Sequence, residues 1–299
     1  DLVTAFWEVF QDPSGSYGEA YNIGGGRLSN NSILEAIKEA ENILGKSDPM
    51  RRIFEIVMHI SDAPANVLIT GESGTGKELI ARAIHYHSGR SRGPFIPINC
   101  AAIPENLLES EFFGYLQGSF TDARKDRKGL FQEASGGSLF LDEIGELPMN
   151  LQAKLLRVIE DKEVRPIGAS RGERVEVRIL AASNRDLDQL VGAGKFRQDL
   201  FYRLNVIRID LPPLRQRSED IPLLVEHFIQ KFSEKTKRQV NGLSQEALAA
   251  FLNYPWPGNV RELEHAIERA ILLGKGNLID ATDLPPQLLA DSRKEVSLE

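Results

Sequence analysis

A glycine-rich segment has the residue types and spacing that suit nucleotide phosphates. It lies between an apolar run at 66–70 and a helical pattern at 77–87, and it consists of Gly71, Glu72, Ser73, Gly74, Thr75, Gly76, Lys77 and Glu78. Glycines let the backbone wrap around phosphates, and amides at a helix N-terminus point at anions. Lys77 is placed to reach the terminal phosphates. Position 78 holds Glu where this pattern commonly has a Ser or Thr for magnesium, so the metal needs another ligand or water. The segment predicts a nucleotide-binding loop rather than an ordinary turn.

A second apolar run, at 136–143, ends in two acids. Asp142 would hold Mg²⁺, usually through water, and Glu143 would polarise the attacking water. Apolar strands that end in acids are common, so this segment alone is a weak signal. Its position 65 residues after Lys77, and next to it in the expected sheet, makes it a strong one.

Composition excludes several classes of protein. Hydrophobic residues make up 41% and charged residues 26% of the 299 residues, which excludes a wholly disordered or fibrous chain. No apolar run approaches the ~20 residues that span a bilayer. The net charge of −7 argues against electrostatic DNA binding by the chain as a whole. A single cysteine, Cys100, excludes an intrachain disulfide and a Cys-based zinc site, and fits a reducing cytoplasm. The five histidines show no metal-ligand spacing beyond chance.

Short apolar runs alternate with helical stretches through the middle of the chain. This alternation predicts an α/β fold, with a five-stranded parallel sheet flanked by helices. Two helices are expected before the sheet, over 32–44 and 48–61, the second with Pro49 behind an Asp48 N-cap. From 218 to 289 the strands stop and helical periodicity predicts a small all-α lid. The five runs are Val67–Ile69, Phe95–Ile98, Leu139–Leu141, Ile179–Ala182 and Val206–Ile209.

These patterns divide the chain into four segments. We expect a linker or the tail of an upstream element at 1–31, an α/β ATPase subdomain at 32–217, an α-helical lid at 218–289 and a second linker at 290–299. The first residue is Asp1, so we expect the sequence to be a fragment of a longer protein.

Together, the loop at 71–78 and the acidic strand end at 136–143 make the chain resemble a known family over residues 32–289. It resembles the AAA+ domain of sigma-54-dependent transcriptional activators, the bacterial enhancer-binding proteins. The loop at 71–78 matches the family's loop, including Glu78, and Phe95 to Ala102 resembles its second strand. The resemblance implies a P-loop AAA+ ATPase that uses ATP and Mg²⁺. It also implies that Asn99 pairs with Glu143 as a switch that senses nucleotide; the alternative for Asn99 is a strand-end cap.

Two further segments are similar to the family's sensors. Ser183 and Asn184 end the fourth strand, where the resemblance implies contact with the γ-phosphate or the attacking water; the usual residue before Asn184 is Thr, and the alternative is a strand-end cap. Arg261 would bridge the lid to the nucleotide in the same subunit. Asn259 and Glu262 have the spacing of a capping box that would start the helix of Arg261. Trp256 is expected to be a core residue.

The segment 196–206 carries two arginines, Arg197 and Arg203. In the family both face the ATP of the neighbouring subunit, and one or both act as arginine fingers. The resemblance therefore implies self-association into a ring of six or seven subunits. The spacing alone would favour a different interpretation, in which both arginines are solvated residues on a helix.

A loop between the second and third strands corresponds to the loop with which the family grips sigma-54. Gly-Ala-Phe-Thr-Gly-Ala is the family's sequence, and here the residues are Gly118, Ser119, Phe120, Thr121, Asp122 and Ala123. Alternatives are a plain surface loop with an exposed Phe, or a loop altered for another client. A hairpin at 163–178 is expected to support this loop. The basic residues at 124–128 are expected to be solvated, with DNA phosphate contact as the other option.

The resemblance implies an ATP-hydrolysing ring in the bacterial cytoplasm that remodels sigma-54 RNA polymerase holoenzyme for promoter opening. DNA binding is expected through a C-terminal domain beyond Glu299, and no membrane attachment is expected. One alternative is an AAA+ ATPase with another protein client, such as an unfoldase or a chelatase subunit; retained Phe120 argues against it and Asp122 mildly for it. Another is a non-hydrolysing ATP-binding regulator, against which the intact acids and arginines argue.

Overall fold

The computed structural model describes residues 19–21, 27–29, 43–120 and 123–292. They form two compact units. The first unit contains Phe54–Thr70 and Lys77–Asp210, and the second contains Leu44–Ile53, Gly71–Gly76 and the chain from Leu211 onward. Strands β1 (Glu19–Tyr21) and β2 (Arg27–Ser29) pair antiparallel in the N-terminal region. The helix expected over 32–44 lies almost entirely outside the described residues, and the segment boundaries at 31, 217 and 289 stay predictions.

The first unit is built on a parallel sheet of five strands. The strands are β3 (Val67–Thr70), β4 (Phe95–Asn99), β7 (Ser138–Asp142), β10 (Arg178–Ser183) and β11 (Ile207–Asp210). Their spatial order is β11, β3, β10, β7, β4, and every neighbouring pair is parallel. Continuous burial of β7 and β10 up to their last residues reflects a sheet covered on both faces. The predicted α/β fold is confirmed.

Helices and two small hairpins surround this sheet. The helices are α1 (Asp48–Ile60), α2 (Lys77–Tyr86), α3 (Glu105–Phe113), α4 (Leu130–Glu133), α5 (Met149–Asp161), α6 (Leu187–Gly192) and α7 (Gln198–Leu204). The hairpins are β5 (Gly114–Tyr115) with β6 (Arg127–Lys128), and β8 (Glu163–Val164) with β9 (Glu173–Arg174). Helix α1 matches the helix expected at 48–61, and the second hairpin matches the one expected at 163–178.

A buried arginine ties β10 to the end of α1. The Arg178 side chain is 4% exposed, and its guanidinium donates to the backbone carbonyls of Ile60, Ser61 and Ala65. Burial lowers the pKa of Arg178 to about 10, so the group remains charged at neutral pH. The guanidinium thereby supplies hydrogen bonds to three backbone carbonyls, one of which, that of Ile60, also accepts the Ala63 N–H at 3.0 Å.

The second unit has a helical core of its own. It contains α8 (Ile221–Thr236), α9 (Gln245–Asn253), α10 (Asn259–Leu273) and α11 (Pro286–Ser292). Apolar faces of these helices meet around Trp256, which is fully buried and donates its indole N–H to the Phe251 carbonyl at 2.8 Å. Trp256 is therefore a core residue, as predicted. No helix in the described ranges is long and apolar enough to cross a bilayer.

Candidate functional site

The acidic pair lies at the end of β7, an inner strand of the sheet, where a strained turn begins. Asp142 ends the strand, and Glu143 adopts a left-handed conformation with φ 53° and ψ 44°. A non-glycine residue in this region is uncommon and is frequently found at active sites. The Glu143 N–H donates to Asp142 Oδ1 at 3.0 Å, so the backbone itself fixes the two acids against each other.

The carboxyl group of Glu143 is tuned toward proton acceptance. Burial, and next the negative charge of Asp142, raise the pKa of Glu143 above its usual value. The charge of Lys77 and a hydrogen bond from the Asn184 backbone N–H oppose this shift in part. A carboxylate with a raised pKa is a better general base near neutral pH. Glu143 is thus suited to polarise a water molecule.

Lys77 and Glu78, which begin helix α2, have different surroundings. Lys77 is only 7% exposed and acts electrostatically on Glu143. Glu78 is half-exposed and pairs with Arg82 one turn further along the helix, at 2.7 Å. This geometry agrees with a metal that takes its protein ligand elsewhere.

Asp142 is the carboxylate that fits Mg²⁺. Within the described part of the chain, no group of three or more His, Cys, Asp or Glu side chains could enclose a metal ion. Mg²⁺ in nucleotide sites commonly uses one or two carboxylates and completes its shell with water and phosphate oxygens. A single carboxylate at the end of β7 therefore fits this cofactor.

The ends of strands β4 and β10 supply polar groups at the same edge of the sheet. Asn99 is the register partner of Asp142. Its Oδ1 accepts the Ala101 N–H at 2.8 Å, as in the strand-end cap, and no hydrogen bond with Glu143 is found among the described residues. The pair implied by the resemblance is not formed in this conformation, in which the Asn184 backbone N–H bonds Glu143. Its role as a switch stays a prediction.

Ser183 shapes the turn after β10 rather than presenting a hydroxyl. Its Oγ donates to the Arg185 carbonyl at 2.8 Å and accepts the Arg185 N–H at 3.0 Å, and the residue is 1% exposed. The turn brings the Asn184 N–H to Glu143 and leaves the Asn184 residue exposed. Of the two residues predicted as sensors, Asn184 is the one available to a ligand.

The helix carrying Arg261 begins differently from the prediction. Asn259 is not an N-cap: it is the first residue of α10, with φ 53°, and it is fully buried. Glu262 accepts the N–H of Gly258, one residue earlier than a capping box on Asn259 would require. The predicted capping box is wrong because the Asn259 side-chain amide makes tertiary hydrogen bonds to Glu72 and Ser73 instead. Arg261 does lie in the first turn, with Nη1 3.3 Å from Ser73 Oγ.

The phosphate loop at 71–76 makes close backbone contacts within the helical unit. Gly74 has φ +78°, and a Cβ built there would lie 2.3 Å from the Gly258 carbonyl oxygen. Only glycine fits, because both the conformation and the space exclude a side chain.

Glu72 forms an ion pair that sequence reasoning missed. Arg215 donates two hydrogen bonds to its carboxylate, at 2.6 and 2.8 Å, and Asn259 Nδ2 adds a third at 3.1 Å. Hydrogen bonds from Arg215 and then Asn259 lower the pKa of Glu72 to about 2. No local pattern signals a pair whose members are 143 positions apart.

Both arginine-finger candidates lie on the surface in weak ion pairs. Arg197 contacts Asp199 at 2.6 Å, and Arg203 contacts Glu160 at 3.0 Å. The Arg197 backbone is fixed by the buried side chain of Gln152, whose Oε1 accepts its N–H at 2.8 Å. Exposed ion pairs are weak because solvent screens them, so either guanidinium can exchange its partner at little cost.

The client-loop candidate extends from the β5–β6 hairpin. The Gly118 N–H bonds the Ala123 carbonyl at 2.9 Å across its base. Phe120 is 44% exposed, and its ring meets that of Tyr115 edge to face at 4.9 Å. Thr121 and Asp122 lie outside the described residues.

The loop's base also contacts the second hairpin. Ile167, between β8 and β9, donates to the Gly114 carbonyl at 2.9 Å and accepts the Leu116 N–H at 3.0 Å. A Cβ at Gly168 would lie 2.9 Å from Ser119 Cβ. The second hairpin therefore supports the first loop, as the sequence suggested.

Cys100, next to the site, is chemically inert. It is 2% exposed, and burial followed by the charges of Asp142 and Glu143 raises its pKa to about 12. It belongs to the core rather than to the reacting groups.

Comparisons with known proteins match nearly all of the described residues from position 43 onward. A family model described as "Sigma-54 interaction domain" matches residues 43–210, and one described as "AAA+ ATPase lid domain" matches 215–299. The regulatory protein AtoC of Escherichia coli K12 is 53% identical over 247 residues, which cover 83% of this chain and 54% of AtoC. The Nif-specific regulatory protein of Herbaspirillum seropedicae is 50% identical over 246 residues, covering 82% and 45%. The chain spans about half the length of these curated relatives.

Solved structures agree. The crystal structure of NtrX from Brucella abortus in complex with ADP has a TM-score of 0.78 at 34% identity, covering 87% of this chain and 58% of that one. The ATP complex of the same protein has a TM-score of 0.77 at the same identity.

Proposed function

Because this chain belongs to the family of sigma-54 interaction domains, which are AAA+ ATPases, we propose that it hydrolyses ATP in order to remodel sigma-54 RNA polymerase holoenzyme and so allow promoter opening. The observation that carries the proposal is Glu143, a strained and partly buried carboxylate with a raised pKa next to Asp142 and within the field of Lys77. That environment is the one a water-activating base requires.

Hydrolysis assigns a role to each group. The backbone amides of 71–78 and Lys77 bind the phosphates, and Asp142 would hold Mg²⁺, which would supply positive charge to the phosphate oxygens. Glu143 takes a proton from the attacking water, while Asn184 and Arg261 contact the nucleotide. Asn99 reports the state of the site to Glu143.

The site is completed by a neighbouring subunit. Arg197 and Arg203 are exposed and weakly paired, so that a second copy of the chain can use them on its own ATP. We therefore expect the chain to act as a ring, for which the resemblance implies six or seven subunits, and in which no subunit hydrolyses ATP alone.

ATP turnover tests the enzyme part of the proposal. Lys77→Ala and Glu143→Ala should each abolish turnover, and Arg203→Ala should abolish it without loss of nucleotide binding. Mixing the Lys77→Ala and Arg203→Ala variants should restore part of the activity, because one variant supplies the arginine and the other the phosphate loop. Normal turnover by Arg203→Ala, or no complementation, refutes the shared site.

The client is tested by gel filtration with sigma-54 in the presence of ADP and aluminium fluoride. ADP and aluminium fluoride together mimic the transition state of ATP hydrolysis. A co-eluting complex is expected, and Phe120→Ala should abolish it. Leu278→Ala is the matched control, because Leu278 is a similarly exposed apolar residue (51%) in the helical unit. A ring that assembles without sigma-54 would refute this client and favour another protein client.

A further inference from the structure

The phosphate loop is held through three consecutive backbone carbonyl groups. The carbonyl of Ser73 accepts a hydrogen bond from Asn259 Nδ2, that of Gly74 from the Val260 N–H, and that of Thr75 from Arg217 Nη2. Each of the three distances is 3.0 Å. All donors come from one stretch of the helical unit, 217–260.

Fixing these carbonyls also fixes the amides of the loop. A peptide unit is planar and trans, so its N–H points away from its C=O. The carbonyls of 73, 74 and 75 share peptide planes with the N–H groups of Gly74, Thr75 and Gly76. These amides therefore point away from the donors at 217–260. They are the groups that such a loop presents to phosphate oxygens.

The donors are themselves immobilised. Asn259 is fully buried, and Arg217 is 3% exposed. The Asn259 side chain is used at both ends, because its Oδ1 also accepts the Leu214 N–H at 2.7 Å. Val260 lies in the first turn of α10, where backbone N–H groups lack a partner within the helix. Its N–H is thus a ready donor for Gly74.

The same region also contains the ion pair between Glu72 of the phosphate loop and Arg215. Glu72 places a carboxylate inside a loop whose task is to bind anions. Arg215 makes a two-pronged ion pair with it, at 2.6 and 2.8 Å, which is the geometry guanidinium and carboxylate groups favour. Without Arg215, the carboxylate would repel the incoming phosphates.

We propose that Asn259 and Arg215 are positioning residues for nucleotide binding: Asn259 keeps the loop amides turned toward the phosphates, and Arg215 cancels the charge of Glu72. This rests on the proposed ATP site. Neither side chain touches the reacting atoms, so their loss should raise the Kd and KM for ATP while kcat at saturation changes little.

A double-mutant cycle on the Glu72–Arg215 pair tests the charge role. Kd for ATP is measured on the full chain by competition with a fluorescent nucleotide. Arg215→Met should weaken binding roughly tenfold, since the negative charge of Glu72 in the loop is then no longer balanced by a guanidinium. Adding Glu72→Gln removes that charge and should return Kd to within about threefold of the parent value. A double variant as weak as Arg215→Met, or a single variant with unchanged Kd, overturns this role.

Asn259→Ala tests the amide role, with Glu262→Gln as its matched control. Glu262 lies in the same helical turn, and its carboxylate accepts hydrogen bonds from Gly258 and Tyr254 rather than from the phosphate loop. Asn259→Ala should raise Kd and KM with kcat retained, whereas Glu262→Gln should not change Kd at a similar loss of thermal stability. Equal effects of the two variants on Kd overturn this role. Failure of the proposed ATP site gives a different result. In that case the parent chain does not bind ATP, or Lys77→Ala binds ATP as tightly as the parent.

Discussion

Replacing Glu143 by Gln should lower the rate of ATP hydrolysis and raise the stability of the fold at neutral pH. Gln has nearly the same shape as Glu, and its side-chain oxygen can still accept the Asn184 N–H that bonds Glu143. It keeps the strained backbone of φ 53° as well. The change therefore removes a titratable charge and leaves the geometry in place.

Activity should fall by the contribution of a general base. Such groups contribute about 10²–10⁴ in rate, which corresponds to about 3–5 kcal/mol of transition-state stabilisation. ATP affinity should be retained, because the phosphates are bound by other groups. The loss should therefore appear in kcat.

Stability should change the other way at neutral pH. Because the pKa of Glu143 is raised above its ordinary 4.5 in the folded chain, the folded chain binds more protons than the unfolded chain between those two values. The stabilising contribution of this carboxyl is fully present below the unfolded pKa and is lost as pH rises through the folded pKa. Gln does not ionise, so Glu143→Gln should gain stability over the parent chain as pH rises through that window.

Two assays decide this. Steady-state ATP turnover gives kcat, and urea unfolding at pH 4 and pH 7.5 gives the two stability differences. Turnover within about threefold of the parent would exclude Glu143 as the base. A variant whose relative stability falls between pH 4 and pH 7.5 would show that the carboxylate is favoured by its surroundings, and would refute the assigned cause of its pKa shift.

Three further substitutions test the scaffold. Arg178→Met leaves three carbonyl acceptors without their donor and should cost about 3–5 kcal/mol in urea unfolding, with Arg178→Lys recovering only a part, since an ammonium cannot match the fork; a cost under about 1 kcal/mol would contradict this. Gly74→Ala should weaken ATP binding by at least roughly tenfold because its Cβ meets the Gly258 carbonyl at 2.3 Å; Gly136→Ala, with φ +83° and nothing within 4 Å, is its control and should leave Kd unchanged. Trp256→Ala should cost about 3–5 kcal/mol by calorimetry, because it opens a cavity and leaves the Phe251 carbonyl unpaired; retention of the parent Tm would exclude its core role.

Short sequence patterns predict most of the fold. Five short, mainly apolar runs identify the five parallel strands, and the three inner strands β3, β7 and β10 are buried along most of their length. The phosphate loop is equally local, because its glycines and Lys77 lie within a few positions of one another.

Features set by tertiary contact could not be predicted. Asn259 and Glu262 have capping-box spacing, yet burial and the left-handed backbone of Asn259 turn its amide to the phosphate loop instead. The partner of Glu72 is 143 positions away. The left-handed backbone of Glu143 has no sequence signal of its own, since glycine would be the expected residue there.

The buried thiol of Cys100 makes the chain convenient for site-specific labelling. With a pKa of about 12 and 2% exposure, its thiolate fraction at pH 7 is on the order of 10⁻⁵, so maleimide reagents should leave it untouched. It is the only cysteine in the sequence. A fluorophore can therefore be attached at an introduced cysteine, such as Gln117→Cys beside the client loop, without first removing a native residue.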